Sequence, residues 1–239
     1  MFFDIHTHIL PGIDDGAKDL EESIKLLKMM KKSGISSAVA TSHFYPLETT
    51  YEDFLFATGE AFRQLKEEIE GKKLPLIYPG CEMLYYRGIG NSEGLCKLCL
   101  NDSKYLLLEL TDPDINNGLF EDINDLKANS GIIPIIAHIE RYGKARNFKN
   151  LITFAKTEKI PVQINALSVF TPFYKRTIKS ILKENLFTVL ATDTHSVDER
   201  PPLMKQALTY VRDNYGGEYR ARLVKNSSKL YSEIIGEGK

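Results

Sequence analysis

Phe2-Phe3-Asp4-Ile5-His6-Thr7-His8 and Thr188-Val189-Leu190-Ala191-Thr192-Asp193-Thr194-His195 are apolar runs that close on imidazole. The same ending recurs in Ser37-Ala38-Val39-Ala40-Thr41-Ser42-His43 and in Ile132-Ile133-Pro134-Ile135-Ile136-Ala137-His138. All five histidines of the chain therefore stand at the end of a strand-like run. Histidines scattered by chance would fall mostly in loops and on helix faces. Side chains gathered at C-terminal strand ends are the arrangement in which a parallel α/β barrel keeps its chemistry. Imidazole is also the commonest protein ligand for catalytic transition metals.

Amphipathic stretches alternate with these runs. After the first strand, Asp19 to Ser33 reads as a helix with Leu20, Ile24, Leu27 and Met30 on one stripe. Asp19 followed by Glu22 has the spacing of a capping box, and Lys28, Lys31, Lys32 and then Gly34 suit its end. Further strands are expected at about 75–82, 104–110, 132–138, 161–166 and 188–193, and helices near 51–70, 119–130, 147–159, 172–185 and 203–214. Glu218 to Ile235 reads as one more helix. The strands, seven in all, are mostly apolar on both faces, as buried parallel strands are. Alternating β and α with right-handed crossovers gives an α/β barrel or an open sheet.

At 239 residues the chain fits one domain, 1–239. Its composition, 43% hydrophobic and 26% charged, supports a sizeable core and excludes a disordered chain. The net charge of -1, with no basic block standing out, argues against nucleic acid as a partner. Apolar runs are too short to span a bilayer, and the first carries Asp4, His6 and His8, unlike a signal peptide. Three cysteines fit a reducing cytoplasm better than a disulfide scaffold.

His6 and His8 are two apart on a strand, so their side chains leave the same face and can grip one ion. Asp4 shares that face and is a candidate to orient a ligand. Asp14 and Asp15 follow in the turn Pro11-Gly12-Ile13-Asp14-Asp15-Gly16. Glu82 ends another apolar run and Glu109 stands inside Leu106-Leu107-Leu108-Glu109-Leu110, where an unpaired carboxylate would be costly to bury. Asp193 and His195 repeat the two-residue spacing. Each of these alone has a plainer reading: a turn for Asp-Asp-Gly, a buried salt bridge for Glu109, a satisfied core histidine. Together with His43 and His138, and counting one of Asp14 and Asp15, they are nine candidate ligands at one end of successive strands, too many for one ion. Nitrogen and oxygen donors favour Mn, Fe or Zn. Three divalent ions against four carboxylates keep a charge of about +2, which attracts a phosphate dianion. Arg141 and Arg200 lie shortly after His138 and His195, and guanidinium forks match phosphate oxygens.

With these residues assembled, the chain resembles the PHP (polymerase and histidinol phosphatase) superfamily. It is closer still to that superfamily's bacterial protein-tyrosine phosphatase branch, the CpsB/YwqE type linked to capsular and exopolysaccharide synthesis. The motifs are Asp4-Ile5-His6-Thr7-His8-Ile9-Leu10-Pro11, Asp14-Asp15-Gly16, Ala40-Thr41-Ser42-His43, Pro79-Gly80-Cys81-Glu82, Leu108-Glu109, Ile136-Ala137-His138-Ile139-Glu140-Arg141-Tyr142 and Ala191-Thr192-Asp193-Thr194-His195. The resemblance implies a distorted seven-stranded (β/α) barrel of the PHP type holding three metal ions, manganese above all. It implies that His6, His8, Glu82 and Asp193 share one ion. Glu82 then bridges to a second ion with Glu109 and His138, and Asp15, His43 and His195 hold the third, Asp15 being favoured over Asp14. Arg141 and Arg200 match the phosphate-contacting arginines, and the implied substrate is phosphotyrosine on the tail of a partner tyrosine kinase.

In-line hydrolysis by a hydroxide between two ions is the expected reaction, with the arginines neutralising phosphoryl oxygens and Asp193 a candidate to assist proton transfer. Phe44, Tyr45, Tyr85 and Tyr142 flank ligands and are candidates for a ring-binding rim or for ordinary packing. Cys81 and Arg87 have the C-x5-R spacing of cysteine-dependent phosphatases. The bulky Glu82-Met83-Leu84-Tyr85-Tyr86 between them cannot wrap a phosphate in backbone N–H groups. Cys96 and Cys99 read as two cysteines on one helical turn. The rival readings are a phosphoesterase for a small ester such as histidinol phosphate, a metal amidohydrolase, and a metal-stabilised scaffold without activity.

Overall fold

The computed structural model describes residues 2–236. Its strands are β1 (Phe2–Thr7), β2 (Ile35–Ala40), β3 (His43–Phe44), β4 (Leu76–Pro79), β5 (Glu82–Leu84), β6 (Tyr105–Glu109), β7 (Ile133–Ile136), β8 (Val162–Asn165) and β9 (Thr188–Ala191). The helices are α1 (Leu20–Lys32), α2 (Tyr51–Ile69), α3 (Asn117–Ser130), α4 (Phe148–Thr157), α5 (Lys175–Lys183), α6 (Met204–Asn214) and α7 (Gly217–Tyr231). Every expected helix is present within a few residues, and the last ends in a single π turn at Ser232–Gly236.

All strand pairs are parallel and form two sheets, β1-β2-β4 and β3-β5-β6-β7-β8-β9. Two of the runs read as single strands are broken: 37–43 yields β2 and β3, and 75–82 yields β4 and β5. In each the chain leaves the small sheet and enters the large one. Proline lacks an N–H to continue a ladder, so Pro79 ends β4. Gly80 follows where a Cβ would lie 2.7 Å from Val39 Cγ1. His43 and Glu82 therefore open their strands rather than close them, and they face each other in register.

The far edges also meet. Asp193 N–H donates to His6 O at 2.9 Å, and His8 N–H donates to Thr194 O at 2.8 Å. Asp4 joins the same seam: its carboxylate accepts from Thr192 N–H at 3.0 Å and from the Thr192 hydroxyl at 2.6 Å. It accepts from His6 N–H at 3.4 Å but reaches neither the His6 nor the His8 ring, contrary to the expectation that it orients a ligand ring. Its role is to tie the two edges together, and burial raises its pKa to about 6.

The main core lies between strands and helices, with Leu26, Leu27 and Met30 of α1, Leu65 of α2 and Ile178 and Ile181 of α5 fully buried. A smaller cluster joins Phe3, Ile5, Val39, Leu107, Ile135 and Val189 to Leu230 and Ile234. The cap of α1 differs from a capping box in one bond. Asp19 accepts from Glu22 N–H at 2.9 Å, but Glu22 reaches back to Lys18 N–H instead of Asp19. Among the described residues, no helix is long and apolar enough to cross a membrane.

Candidate metal centre

The five imidazoles, Glu82, Glu109, Asp15 and Asp193 converge at one end of the strands. His6 Nε2 and His8 Nε2 are 3.1 Å apart. Glu82 Oε2 lies 2.9 Å from His6 Nε2, 3.2 Å from His8 Nε2 and 3.3 Å from His43 Nδ1, and its Oε1 lies 3.0 Å from His138 Nε2. Three groups of donor atoms are each compact enough for one ion. One is His6, His8, Glu82 and Asp193; a second is His43, Glu82 and Glu109; a third is His8, Asp15, His43 and His195. His138 Nε2 stands 3.3 Å from Glu109 Oε1, beside the second group.

The backbone places these side chains by means a pleat would not provide. His138 and Asp193 have φ of 29° and 51°, in the left-handed region that costs an ordinary residue about 1–3 kcal/mol. Both lie just beyond strand ends, so Asp193 and His195 converge through a turn and not through the two-residue period of a strand. Gly16 is required by its neighbour: a Cβ there would sit 2.2 Å from His8 O. Only a bare backbone lets the Asp14-Asp15-Gly16 turn press onto β1.

Hydrogen bonds on the outer nitrogens assign the tautomers. His6 Nδ1–H donates to Gln163 Oε1 at 3.2 Å, His8 Nδ1–H to Asp14 Oδ2 at 2.8 Å, and His195 Nδ1–H to the Asp193 carbonyl at 3.0 Å. The Nε2 lone pair of each then points inward. Asp14 thus serves His8, and it also accepts from the N–H groups of Gly16 and His43. Asp15 is the carboxylate that faces the cluster, with Oδ1 3.5 Å from His43 Nε2 and 3.3 Å from His195 Nε2.

A divalent cation fits this donor set. His43 Nδ1, Asp193 Oδ1 and His195 Nε2 are buried without any hydrogen-bond partner, which an interior does not tolerate unless something else satisfies them. The ionisation pattern has the same origin. Burial opposes a charge on His8, yet Asp14 and Glu82 outweigh it and raise its pKa to about 10. Burial, reinforced by the neighbouring His8, lowers His195 to about 3 and also lowers His43. Burial would raise Glu82, but His6, His138 and His8 hold it well below the usual carboxylate range. Carboxylates that draw protons onto imidazoles would exchange those protons for metal.

Arg141 and Arg200 meet at the edge of this cluster. Both donate to Asp193 Oδ2, Arg141 Nη2 at 2.8 Å, and Asn165 Nδ2 donates to the same oxygen. Burial would raise the Asp193 carboxyl, but His6, His8 and Arg200 hold it below the usual range. A carboxylate so held keeps its negative charge, which suits a metal ligand.

Residues not expected from the sequence support the candidate ligands. Gln163 Oε1 accepts from both His6 Nδ1–H and His138 N–H, and its Nε2 donates to Asn165 Oδ1 at 2.6 Å. Asn165 then reaches Asp193. The signal available was two polar residues two apart in the run Val162-Gln163-Ile164-Asn165. Of the aromatic candidates, Phe44 packs on Phe54, Tyr85 donates to Asp122 and Tyr142 accepts from Leu110 N–H beside His138 Nδ1. Only Tyr45 is half-exposed at the mouth, stacked on His43 at 5.2 Å. Cys81 is fully buried and its Sγ–H points to Leu98 O, while Arg87 pairs with Glu121 and Asp122. The two do not form a phosphate loop.

Residues 2–232 match the family described as capsular polysaccharide synthesis, CpsB/CapC. The tyrosine-protein phosphatase CpsB of Streptococcus pneumoniae is 32% identical over 97% of this chain and 99% of its own. The tyrosine-protein phosphatase YwqE of Bacillus subtilis is 31% identical over 95% of this chain and 90% of its own. A crystal structure from a study of YwqE and CpsB, described as metal-dependent tyrosine phosphatases, superposes with a TM-score of 0.81 at 27% identity, covering 97% of this chain and 94% of that one. The histidinol phosphate phosphatase of Lactococcus lactis shares the fold, with a TM-score of 0.57 at 14% identity over 89% of this chain and 93% of that one. With its histidines, carboxylates and paired arginines carried on such a fold, the chain belongs to the CpsB/CapC family of capsular polysaccharide synthesis proteins.

Proposed function

We propose that this chain is a metal-dependent protein-tyrosine phosphatase acting in capsular or exopolysaccharide synthesis, with the phosphorylated tail of a bacterial tyrosine kinase as substrate. The observation that carries the reading is the meeting of two guanidinium groups on Asp193, at the edge of a cluster of five imidazoles and three further carboxylates. A scaffold has no use for phosphate clamps beside such a donor set. We further propose that the two sheets make one distorted seven-stranded barrel in a single domain, 1–239, working in the cytoplasm.

His6, His8, Glu82 and Asp193 would hold one ion. Glu82, Glu109 and His138 would hold a second, with His43 alongside, and Asp15, His43 and His195 a third. Manganese suits the nitrogen and oxygen donors, with iron and zinc as alternatives. Bound divalent ions supply Lewis acidity and an activated hydrolytic water near neutral pH. The protein's own part is electrostatic and geometric. Arg141 and Arg200 present forked donors to phosphoryl oxygens, where charge grows in the transition state. Asp193 fixes both forks before substrate arrives, so little reorganisation is left for the reaction. Tyr45 offers a ring face beside His43 to the aromatic ring of the substrate.

The test is metal removal followed by substrate comparison. Dialysis against EDTA should abolish hydrolysis of a phosphotyrosine peptide, and Mn should restore it at least as well as Mg. Histidinol phosphate should be the poorer substrate. Full activity in the metal-free protein, or a preference for histidinol phosphate, would overturn the proposal.

A further inference from the structure

Acidic and basic residues nearly balance over the chain, 32 against 31, but they are not evenly spread. Between Glu140 and Glu184 there are ten basic residues and one acidic residue, Glu158. No basic block stood out along the sequence because a strand and two apolar helix faces interrupt this one. The fold gathers it. α4 follows β7 through a short turn, Ile139–Tyr142, that carries Arg141, and α5 follows β8. Both helices therefore start at the strand ends where the metal-site residues lie.

The turn that precedes α4 packs on the start of α5, since a Cβ on Gly143 would come within 2.5 Å of Thr177. A groove of about 450 Å³ is lined by residues of both helices, Lys149 of α4 and Arg176 of α5 among them. Lys144, Arg146, Lys149, Lys175 and Arg176 are all exposed. The ion pairs of this region, among the described residues, use other groups: Arg141 with Asp193, Lys127 with Glu158, and Lys156 with Glu184. Lys144 Nζ lies 4.1 Å from the ring centre of Phe173, which is itself 60% exposed.

The placement runs against what helices prefer. α1 and α2 carry Glu21, Glu22, Glu52 and Asp53 in their first turns. α4 and α5 have no acid there, and Lys149, Lys175 and Arg176 stand in those positions instead. Positive charge at a helix start opposes the dipole. α3 and α6 also lack acid in their first turns, but α4 and α5 set three basic residues beside one groove, where fold stability does not favour them.

We propose that the α4–α5 side of the mouth docks the acidic residues that flank phosphotyrosine in a protein substrate. This rests on the phosphatase reading above and names the kind of peptide it takes. The patch is continuous with Arg141, so a chain whose phosphate reaches the arginines lays its neighbouring residues across Lys144, Lys149, Lys175 and Arg176. Phe173 supplies an apolar contact among these charges. A peptide is favoured over nucleic acid because the loop after β6, also at these strand ends, carries Asp112 and Asp114, and Asp15 lies at the cluster itself. A polyanion long enough to cross the whole face would meet them.

The metal-loaded protein would be given two phosphotyrosine peptides that differ only in flanking Glu or Gln, and para-nitrophenyl phosphate as a small aryl ester. The acidic peptide should have a kcat/KM about tenfold higher, mainly through KM, and the advantage should shrink with added salt. The variant Lys149→Glu/Lys175→Glu/Arg176→Glu should lose that advantage while hydrolysing the aryl ester within about twofold of wild type. Acid at helix starts favours folding, so the variant keeps its structure. Equal kcat/KM for the two peptides, or an advantage that survives the triple change, overturns the proposal. So does binding of a single-stranded oligonucleotide at physiological salt that the variant loses while peptide preference is absent. If no phosphotyrosine peptide is cleaved while small esters are, the phosphatase reading fails by itself. Fluorescence anisotropy with an unphosphorylated glutamate-rich peptide then decides the docking: the wild type binds more tightly than the triple variant, or the proposal falls.

Discussion

Arg141 Nη2 lies 2.8 Å from Asp193 Oδ2, and Arg200 donates to the same oxygen. One carboxylate thus orients two guanidinium groups that stand far apart in sequence, while its other oxygen faces the histidines. The candidate metal ligand and the candidate phosphate clamps are coupled through a single side chain.

Substitution of either arginine by Ala should therefore separate two properties. Guanidinium offers no lone pair to a metal, so metal content measured by mass spectrometry should be unchanged. Charge-assisted contacts are worth roughly 1.5–3 kcal/mol each, so kcat/KM for a phosphotyrosine peptide should fall by about one to two orders of magnitude. Near-wild-type kinetics in both variants would remove them from the site.

Glu82 faces four histidines, and its two oxygens serve different sides of the cluster. Glu82→Ala should lower bound metal by more than one ion per chain, whereas Asp15→Ala should cost at most one. An ion count unchanged by Glu82→Ala would refute the bridging role.

Gln163 touches neither substrate nor metal in this reading, yet it fixes the ring of His6 and the backbone of His138. Gln163→Leu keeps the bulk and removes both bonds. Loss of such a supporting group typically weakens metal binding by about 10- to 100-fold. Titration against a chelator of known affinity would measure this. Unaltered affinity would make Gln163 a packing residue only.

Away from the site, Asp122 accepts from the Tyr85 hydroxyl at 2.6 Å and from Gly88 N–H at 3.0 Å, and pairs with Arg87. Burial would raise its pKa, but these partners hold it below the usual carboxylate value. Its contribution to stability is thus complete above that usual value and is lost as pH falls through the depressed one. Asp122→Ala should cost about 1–3 kcal/mol at neutral pH, in chemical denaturation, and less in acid. An equal difference at neutral and at strongly acid pH would contradict the charged latch.

The sequence by itself determined the alternation of strands and helices, because apolar runs and amphipathic stripes are local periodicities. It also marked the candidate ligand types, since imidazoles and carboxylates that each have a plainer reading alone recur together at the ends of successive apolar runs. Asp15 against Asp14 was a weaker preference, as adjacent carboxylates in one turn look alike until the turn is built. Tertiary structure decided the rest. Gly16 bends that turn onto His8, so Asp14 takes the ring nitrogen and leaves Asp15 facing His43 and His195. The breaks at 41–42 and 80–81 carry the chain from one sheet to the other, and they make His43 and Glu82 the first residues of their strands. Asp4 touches only the backbone of its neighbour His6 and turns its carboxylate to Thr192, a partner 188 positions away. Gln163 had no sequence signal beyond its two-residue spacing from Asn165 in an apolar strand. Partners so distant in the chain are chosen by which strand ends the fold brings side by side, and no local pattern encodes that.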